Sequence, residues 1–250
     1  TGATGELGTY ALHYLKEQVE LNEIVVLART EEKAAILREQ GVEVRIGDFG
    51  DYASLIEAFN GIDRLLFVSS QPGAVVSRGE QHKNVVNAAK KTGISFIAYT
   101  SFPKGAESKS PLAQDHILTE QLISESNISH TFLRNNWYIE NEKDTLNAAV
   151  AGHPFMYSAG KGKTGWALKR EYAQAAINVL TEKAATPEVL ELSGNPITYA
   201  ELAEALKTAS GKVFETTELT DADYQAVLTS NSIPEAAVGF ILMIQNDIRN

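Results

Sequence analysis

The stretch Thr1-Gly2-Ala3-Thr4-Gly5-Glu6-Leu7-Gly8 decides the fold of this chain. Its three glycines are spaced three residues apart, and a helical pattern over residues 7–20 follows. Such glycines permit a tight turn and a close approach of the backbone to a pyrophosphate, while the helix N-terminus supplies free N–H groups and a partial positive charge. The spacing alone also fits an ordinary glycine turn. A strand candidate at 24–27 follows at the distance of a βαβ unit, and this context favours a dinucleotide-binding loop.

Strand and helix patterns alternate along the first half of the chain. Short apolar runs rich in β-branched residues predict strands at 24–27, 42–46, 64–68, 94–99 and 129–133. Helices are predicted between them at 31–40, 51–59, 75–91 and 111–126, with Asp51 as an N-cap and Gly93 as a stop. Alternation with short connections is typical of repeated βαβ units. It predicts an α/β fold built on a Rossmann-like, doubly wound parallel sheet.

The pattern loosens after Arg134, and a cluster of glycines between Gly152 and Gly165 predicts loops and short strands. Helical patterns return at 199–209, at 221–229 and from 234 onwards. We therefore predict an NAD(P)-binding Rossmann domain over 1–134, to which a helix at 169–181 and a strand at 188–192 return. Residues 135–250 are predicted to form mainly a smaller C-terminal α/β part that covers the substrate.

Composition excludes several classes of protein. The chain has 250 residues and no cysteine, so a disulfide framework, a thiolate metal site and a cysteine nucleophile are ruled out. Its formal charge of −10 argues against nucleic acid as the main partner. No apolar stretch approaches the length of a membrane span, and no secretory signal is visible, so we expect a cytoplasmic protein without membrane insertion.

The predicted strand at 24–27 ends beside a cation. An NAD site requires a carboxylate there to hold the ribose 2′-hydroxyl, and neither Asp nor Glu occurs between Ile24 and Thr30. Arg29 stands at this point, with Lys33 four residues on. Because a guanidinium can bind a 2′-phosphate through two hydrogen bonds, we predict NADP(H) as the cofactor. A solvated arginine at a strand end is the alternative.

The ends of the following strands supply further candidates for a cofactor cleft, because ligands of open α/β sheets bind outside the carboxyl ends of the strands. Asp48 and Phe49 follow the strand at 42–46 and are placed at the edge of the adenine. Val68 ends the strand at 64–68, and Ser69 and Ser70 follow it; all three are placed on the ribose side of the cofactor. Each of these residues also fits ordinary turn chemistry.

No proton-transfer pair of the short-chain dehydrogenase type is found. That chemistry requires Tyr and Lys four residues apart on one helix, so that the ammonium lowers the pKa of the phenol. Tyr157 and Lys161 have this spacing, but Gly160 and the glycines around it exclude a stable helix. The helix at 111–126 offers His116 and Glu120 instead. We therefore predict no catalytic residue.

The same helix invites two other interpretations. His116 and Glu120 could be metal ligands, but a metal site needs a third ligand, so we favour a structural pair and predict no metal. Asp115, His116 and Ser101 could form a hydrolytic triad, but the chain has no G-x-S-x-G elbow, so hydrolysis is excluded.

A last motif, Asn135-Asn136-Trp137-Tyr138, follows the strand at 129–133. Trp137 and Tyr138 offer flat apolar faces, and the two asparagines offer amide hydrogen bonds. A flat aromatic substrate over a nicotinamide requires walls of this kind. Filling an interior space is an equally weighted alternative for Trp137.

Four stretches together resemble the NmrA-like atypical short-chain dehydrogenases, and most closely the NADPH:quinone oxidoreductase type 2 group. They are Thr1 to Gly8, Leu27-Ala28-Arg29, Gly47-Asp48-Phe49 and Leu133-Arg134-Asn135-Asn136-Trp137-Tyr138-Ile139-Glu140-Asn141. The resemblance covers nearly the whole chain, and the stretch from Arg134 to Asn141 is its most specific part. The chain departs from the group at Asn136, where glycine is usual and where the larger side chain is expected to narrow the loop.

The resemblance implies a Rossmann domain that binds NADPH and a small C-terminal domain that closes the cleft, without a Tyr–Lys pair. The predicted cofactor-binding residues are Gly2, Ala3, Thr4, Gly5, Glu6, Leu7, Arg29, Lys33, Asp48, Phe49, Val68, Ser69, Ser70, Asn135, Asn136 and Trp137. The predicted substrate-binding residues are Trp137, Tyr138 and His116.

The function predicted on this basis is hydride transfer from NADPH to a quinone or a similar flat acceptor. An electrophilic ring accepts hydride without an acid–base pair, so stacking and orientation suffice. A non-catalytic NADP(H)-sensing regulator is the alternative, and a homodimer is left open. A dinucleotide fold needs a strand before the first glycine, so the chain is expected to lack a few residues at its front and a few tens at its end.

Overall fold

The computed structural model describes residues 1–71, 75–182 and 186–250. Its helices are α1 (Glu6–Lys16), α2 (Glu31–Arg38), α3 (Tyr52–Ala58), α4 (Arg78–Thr92), α5 (Gln114–Ser126), α6 (Lys143–Val150), α7 (Lys169–Thr181), α8 (Tyr199–Ser210), α9 (Asp221–Ser230) and α10 (Glu235–Arg249). Its strands are β1 (Val25–Ala28), β2 (Glu43–Ile46), β3 (Arg64–Phe67), β4 (Phe96–Ser101), β5 (Ser129–Asn135), β6 (Phe155–Tyr157), β7 (Val189–Leu192) and β8 (Thr216–Glu218). Within the described ranges, the structure holds no helix that is both long enough and apolar enough to cross a membrane.

The chain divides into two compact units. The first comprises residues 1–135 and 169–192, and the second comprises 136–168 and 193–250. In the first unit β1 pairs with β2, and a four-stranded sheet has the order β3-β4-β5-β7. In the second unit β6 pairs with β8. All these pairs are parallel and helices connect them, which confirms the predicted α/β, Rossmann-like class.

Local signals set several helix ends as predicted. The Asp51 carboxylate caps α3 by accepting from the Ala53 and Ser54 N–H groups, at 3.0 and 3.3 Å. Gly93 ends α4 in the left-handed conformation, with φ of 81°.

Other helix ends differ from the prediction. The helix predicted over 7–20 ends at Lys16. Beyond it, the Gln18 N–H group donates to the Leu15 carbonyl three residues back, at 3.0 Å, which is the hydrogen-bond pattern of a 3-10 turn. The start of α4 lies at Arg78 rather than at 75, because the Ser77 hydroxyl caps it. The first turn of the helix predicted from 111 is a separate 3-10 turn, Pro111–Ala113, ahead of α5.

Two strands extend further than predicted towards the candidate site. β4 runs to Ser101 and β5 runs to Asn135. Parallel pairing explains both extensions, since Ser101 lies opposite Arg134 and Asn135 lies opposite Leu192. The polar residues Ser101, Arg134 and Asn135 therefore lie in the carboxyl ends of the strands, beyond the predicted bounds.

Apolar clusters lie on both described sheets of the first unit. One surrounds the buried Phe67, Ile97 and Tyr99 side chains between the four-stranded sheet and its helices. The other packs α1 and α2 on β1 through residues such as Ile24 and Ala34. Residues of β1, β3, α1 and α7 line a cavity of about 1190 Å³. Thr1 lines it too, and its backbone nitrogen donates to the Leu66 carbonyl at 2.8 Å.

The second unit packs around aromatic rings. Phe155, Tyr157 and Tyr199 are buried, and the last two stack with centroids 5.6 Å apart at 12°. A Cβ on Gly162 would lie 2.0 Å from the Ile248 carbonyl oxygen, so glycine permits the close approach of this loop to the end of α10.

Candidate functional site

The glycine loop makes a tight turn at the start of α1. Gly2 has a φ of +68°, a backbone conformation that favours glycine. The Gly5 N–H group donates to the Gly2 carbonyl at 3.0 Å. Gly5 is the N-cap of α1 and has no side chain that could cap the helix. The first N–H groups of α1 are therefore left for an anionic ligand.

Gly8 sets how closely α1 approaches the loop. A Cβ at this position would lie 2.0 Å from the Gly2 carbonyl oxygen and 2.8 Å from the Ala3 Cα. A Cβ on Gly5 would meet only the Gly2 oxygen, at 3.4 Å. The loop is also fastened to β3, because the Thr1 hydroxyl donates to Leu66 O and accepts from Val68 N–H. Only glycine at position 8 allows α1 to approach the loop this closely.

The other residues predicted in this loop differ in exposure. Ala3 and Leu7 have buried side chains, so their backbones are the parts available to a cofactor. Thr4 and Glu6 are exposed, and the Glu6 carboxylate accepts from Lys169 Nζ at 2.6 Å.

Arg29 comes directly after β1 and is exposed, as is Lys33 in the first turn of α2. The Thr30 hydroxyl caps α2 by accepting from Lys33 N–H at 3.4 Å. Over the parts of the chain that are described, neither the Arg29 guanidinium nor the Lys33 ammonium has a hydrogen-bond or ion-pair partner. Two free cations thus stand at the end of β1.

The remaining strand ends are held by hydrogen bonds within the first unit. The Asp48 carboxylate accepts from Gly50 N–H at 2.6 Å, and Phe49 packs edge-on against a buried ring, Phe67. Ser69 N–H donates to the Thr100 hydroxyl at 2.9 Å.

His82 holds the next residue of that loop and was not grouped with the site from the sequence. Ser70 N–H donates to His82 Nε2 at 3.0 Å. Because a backbone N–H can only donate, Nε2 accepts and Nδ1 carries the proton, which faces the Thr119 hydroxyl at 2.7 Å. Burial, with a smaller effect of Arg78, lowers the pKa of His82 to about 3. A neutral histidine therefore fixes Ser70.

His116 is likewise neutral and fully bonded. Arg78 Nη2 donates to its Nε2 at 3.0 Å, and its Nδ1 lies 3.0 Å from the Tyr99 hydroxyl. Burial, with a smaller effect of the Arg78 charge, lowers the pKa of His116 to about 3. Contact of His116 with a substrate stays a prediction.

Glu120 lies one turn along α5 and binds different partners. Its carboxylate accepts from the Ser101 hydroxyl at 2.5 Å and from Arg134 Nε and Nη2 at 2.9 and 2.7 Å. Arg134 Nη1 also donates to Glu191 at 3.0 Å, and Glu191 accepts from Lys104 N–H. The hydrogen bond to Glu120 is the main reason that the pKa of Arg134 is raised. This network joins the ends of β4, β5 and β7.

The structure also shows where the residues of three interpretations rejected from the sequence lie. Ser101 donates to Glu120 and not to His116, so no hydrolytic triad is assembled. Among the described residues no three His, Asp or Glu side chains are grouped as metal ligands. Tyr157 lies in β6 and Gly160 has a φ of +59°, so Tyr157 and Lys161 do not share a helix.

The aromatic motif begins with Asn135, the last residue of β5, and its other three residues start the second unit. Asn136 Oδ1 accepts from Trp137 N–H at 2.7 Å and from the Thr164 hydroxyl at 3.0 Å. The half-buried Trp137 donates its indole N–H to Glu142 at 3.0 Å. Glu142 was missed in the sequence, where the only signal is a carboxylate five residues after Trp137.

Residues 2–159 match a family described as NAD(P)H-binding. The chain belongs to this family. It is 41% identical to quinone oxidoreductase 2 of Escherichia coli strain K12 over 94% of its own length and 82% of that protein. It is 26% identical to flvB of Aspergillus flavus, an NmrA-like family domain-containing oxidoreductase, over 86% of this chain and 72% of the relative.

Solved structures of NAD(P)H-binding relatives agree with this assignment. The E. coli NADPH-dependent quinone oxidoreductase complexed with NADPH has a TM-score of 0.90 at 38% identity, over 99% of this chain and 87% of that one. The Citrobacter sp. triphenylmethane reductase has a TM-score of 0.91 at 35% identity, with the same coverage. The predicted NmrA-like resemblance, NAD(P)H cofactor and oxidoreductase class are confirmed. The assignments of individual site residues stay predictions.

Proposed function

We propose that this NAD(P)H-binding protein transfers a hydride from NADPH to a quinone or a similar flat acceptor. The observation that carries the proposal lies on α5, where a short-chain dehydrogenase would hold a tyrosine and a lysine. There His116 is neutral with both ring nitrogens bonded, and Glu120 is paired with Arg134. Neither residue is free to transfer a proton.

Quinone reduction fits a site without such a pair. The nicotinamide supplies a hydride to an electrophilic ring, and the oxyanion that results is a stabilised phenolate, which takes its proton from water. The task left to the protein is to bind and orient two flat rings. The quinone and the triphenylmethane dye in the names of the two relatives are both conjugated electrophiles, which supports an acceptor of this class.

The first cofactor assignment concerns the glycine loop, which Gly8 allows to lie close to the start of α1. Backbone N–H groups of the loop from Gly2 to Leu7 would bind the pyrophosphate. Arg29 and Lys33 would hold the 2′-phosphate. The remaining assignments are Asp48 and Phe49 for the adenine side, Val68, Ser69 and Ser70 for the ribose, Asn135, Asn136 and Trp137 for the nicotinamide, and Trp137, Tyr138 and His116 for the acceptor.

An activity assay on the whole chain tests the proposal. NADPH oxidation in the presence of a simple quinone is expected, with one NADPH consumed for each quinone reduced to hydroquinone. Tight NADPH binding without any quinone-dependent oxidation would reject the enzyme assignment and favour an NADP(H)-sensing regulator.

Cofactor choice gives a second expected result. The Arg29→Asp substitution should weaken NADPH binding about 100-fold, because it removes charge-assisted hydrogen bonds to the 2′-phosphate and adds a repelling carboxylate. The affinity for NADH, which lacks that phosphate, should change by less than about threefold. Dissociation constants for both cofactors measure the difference.

Arg38→Asp is the matched control for this result. It makes the same charge change at the last residue of α2, where an exposed arginine is already paired with Glu31 at 2.7 Å, and should leave both affinities unchanged. Equal losses for NADPH and NADH in Arg29→Asp would refute the 2′-phosphate role.

A further inference from the structure

Both tryptophans of the chain donate to one carboxylate oxygen. Trp137 Nε1 and Trp166 Nε1 lie 3.0 and 3.3 Å from Glu142 Oε1, and the Tyr199 hydroxyl donates to the same atom at 2.8 Å. Glu142 is only 8% exposed and ends a 3-10 turn, Ile139–Glu142, just before α6. Three donors from different parts of the second unit therefore converge on one oxygen of a buried carboxylate.

The charge of Glu142 is not matched by a cation. No lysine or arginine in the described ranges pairs with it, and burial raises the pKa of its carboxyl group. A buried, unpaired carboxylate is costly, and an apolar side chain at such a place is often as stable or more stable. Glu142 is therefore better explained by the geometry it imposes on its donors than by a contribution to stability.

The geometry it imposes is the orientation of Trp137. The backbone of that residue is held on both sides, by Asn136 Oδ1 on its N–H and by Ala167 N–H on its carbonyl, at 2.7 and 3.2 Å. The bond from Nε1 to Glu142 fixes the ring at a third point. Trp166 is anchored on the same oxygen and packs edge-on against Tyr199, with centroids 5.0 Å apart.

We infer that Glu142 is a positioning residue for the acceptor, which holds the two half-buried indole rings in the orientation needed to stack a flat, electron-poor ring. The inference rests on the proposed function, which assigns Trp137 to the acceptor. It adds the residue that determines how well such an acceptor is bound, without contact between that residue and the reacting atoms.

Steady-state kinetics of Glu142→Leu test this role. Leucine fills the space but accepts no hydrogen bond, so the rings lose their common anchor. The KM for the quinone should rise about 10-fold, the size of a lost aromatic stacking interaction, while kcat stays within about twofold. The KM for NADPH should rise by less than about threefold, because its phosphate groups are assigned to the glycine loop, Arg29 and Lys33. Glu142→Gln keeps one acceptor oxygen and should restore most of the quinone affinity.

Tryptophan fluorescence gives a readout that does not depend on turnover. Because the chain has two tryptophans and both bind Glu142, its emission reports on this site alone. With NADP⁺ bound, a simple quinone should quench the emission of the wild type saturably. In Glu142→Leu the emission should shift to the red, and quenching should need about 10 times more quinone.

Thr198→Ala is the control for stability. It removes the capping box of α8 in the same unit without touching either tryptophan, so it should lower the melting temperature and leave the quinone KM unchanged. Parallel changes of kcat and both KM values in Glu142→Leu would show a merely structural role and overturn the inference. Should Glu142→Leu fail to fold, Glu142→Asp can replace it, because aspartate withdraws the acceptor oxygen by one methylene. An unchanged quinone KM and unchanged quenching in Glu142→Asp would overturn the inference.

The two proposals fail in different ways. If the wild type shows no turnover but a quinone quenches its fluorescence, and if Glu142→Leu weakens this quenching, the enzyme assignment is rejected and the positioning role is supported. Turnover with quenching that Glu142→Leu leaves unchanged would support the enzyme and overturn the positioning role. A wild type that shows neither turnover nor quenching would overturn both.

Discussion

The Gly8→Ala substitution should weaken NADPH binding about 100-fold and lower the free energy of unfolding by about 2 kcal/mol. The new methyl group would lie 2.0 Å from the Gly2 carbonyl oxygen, so either the loop or the first turn of α1 must move. Overpacking of this kind costs about 1–3 kcal/mol or more, and the better helix propensity of alanine offsets up to about 1 kcal/mol. Displacement of two loop N–H groups from the pyrophosphate, at about 1.5 kcal/mol each, accounts for the loss of affinity.

Gly239→Ala isolates the effect of space from that of helix propensity. Gly239 lies inside α10, and a Cβ there would meet nothing within 4 Å. This variant should be more stable than the wild type by about 0.5–1 kcal/mol and should bind NADPH normally. Denaturant unfolding and NADPH titration of both variants make the comparison, and wild-type affinity in Gly8→Ala would show that the loop does not bind the pyrophosphate.

The features predicted from the sequence depend on short-range signals. The glycine spacing before α1, the Asp51 cap and the Gly93 stop each act within one turn, so a single stretch of sequence contains all the information. The alternation of strands and helices is similarly local and led to the correct fold class.

The features that were missed depend on pairing between distant segments. β4 and β5 extend through polar residues because each pairs with its neighbour, and no local pattern marks Ser101 as the end of a strand. Glu120 lies in α5 and Arg134 lies in β5, so no local pattern connects them. Their hydrogen bond nevertheless belongs to a network that also includes Glu191. Glu142 was missed because its three donors come from three segments of the second unit.

The Glu120→Ala substitution should lower the free energy of unfolding by about 3 kcal/mol. Glu120 and Arg134 side chains are 10% and 18% exposed and form two hydrogen bonds, and removal of one partner from such a pair leaves an uncompensated charge that costs about 3–5 kcal/mol. The lower value is expected because Arg134 retains Glu191 at 3.0 Å. The Ser101 hydroxyl also loses its acceptor.

A double-mutant cycle distinguishes this pair from ordinary packing. Removal of both charges in Glu120→Met with Arg134→Met should cost less than the sum of the two single variants, because neither charge is then left buried alone. Glu31→Ala, which breaks the exposed pair with Arg38, is the control and should change stability by less than about 0.5 kcal/mol. Additive losses at Glu120 and Arg134 in urea unfolding would mean that the pair makes no coupled contribution. The ends of β4, β5 and β7 would then be held by backbone pairing alone.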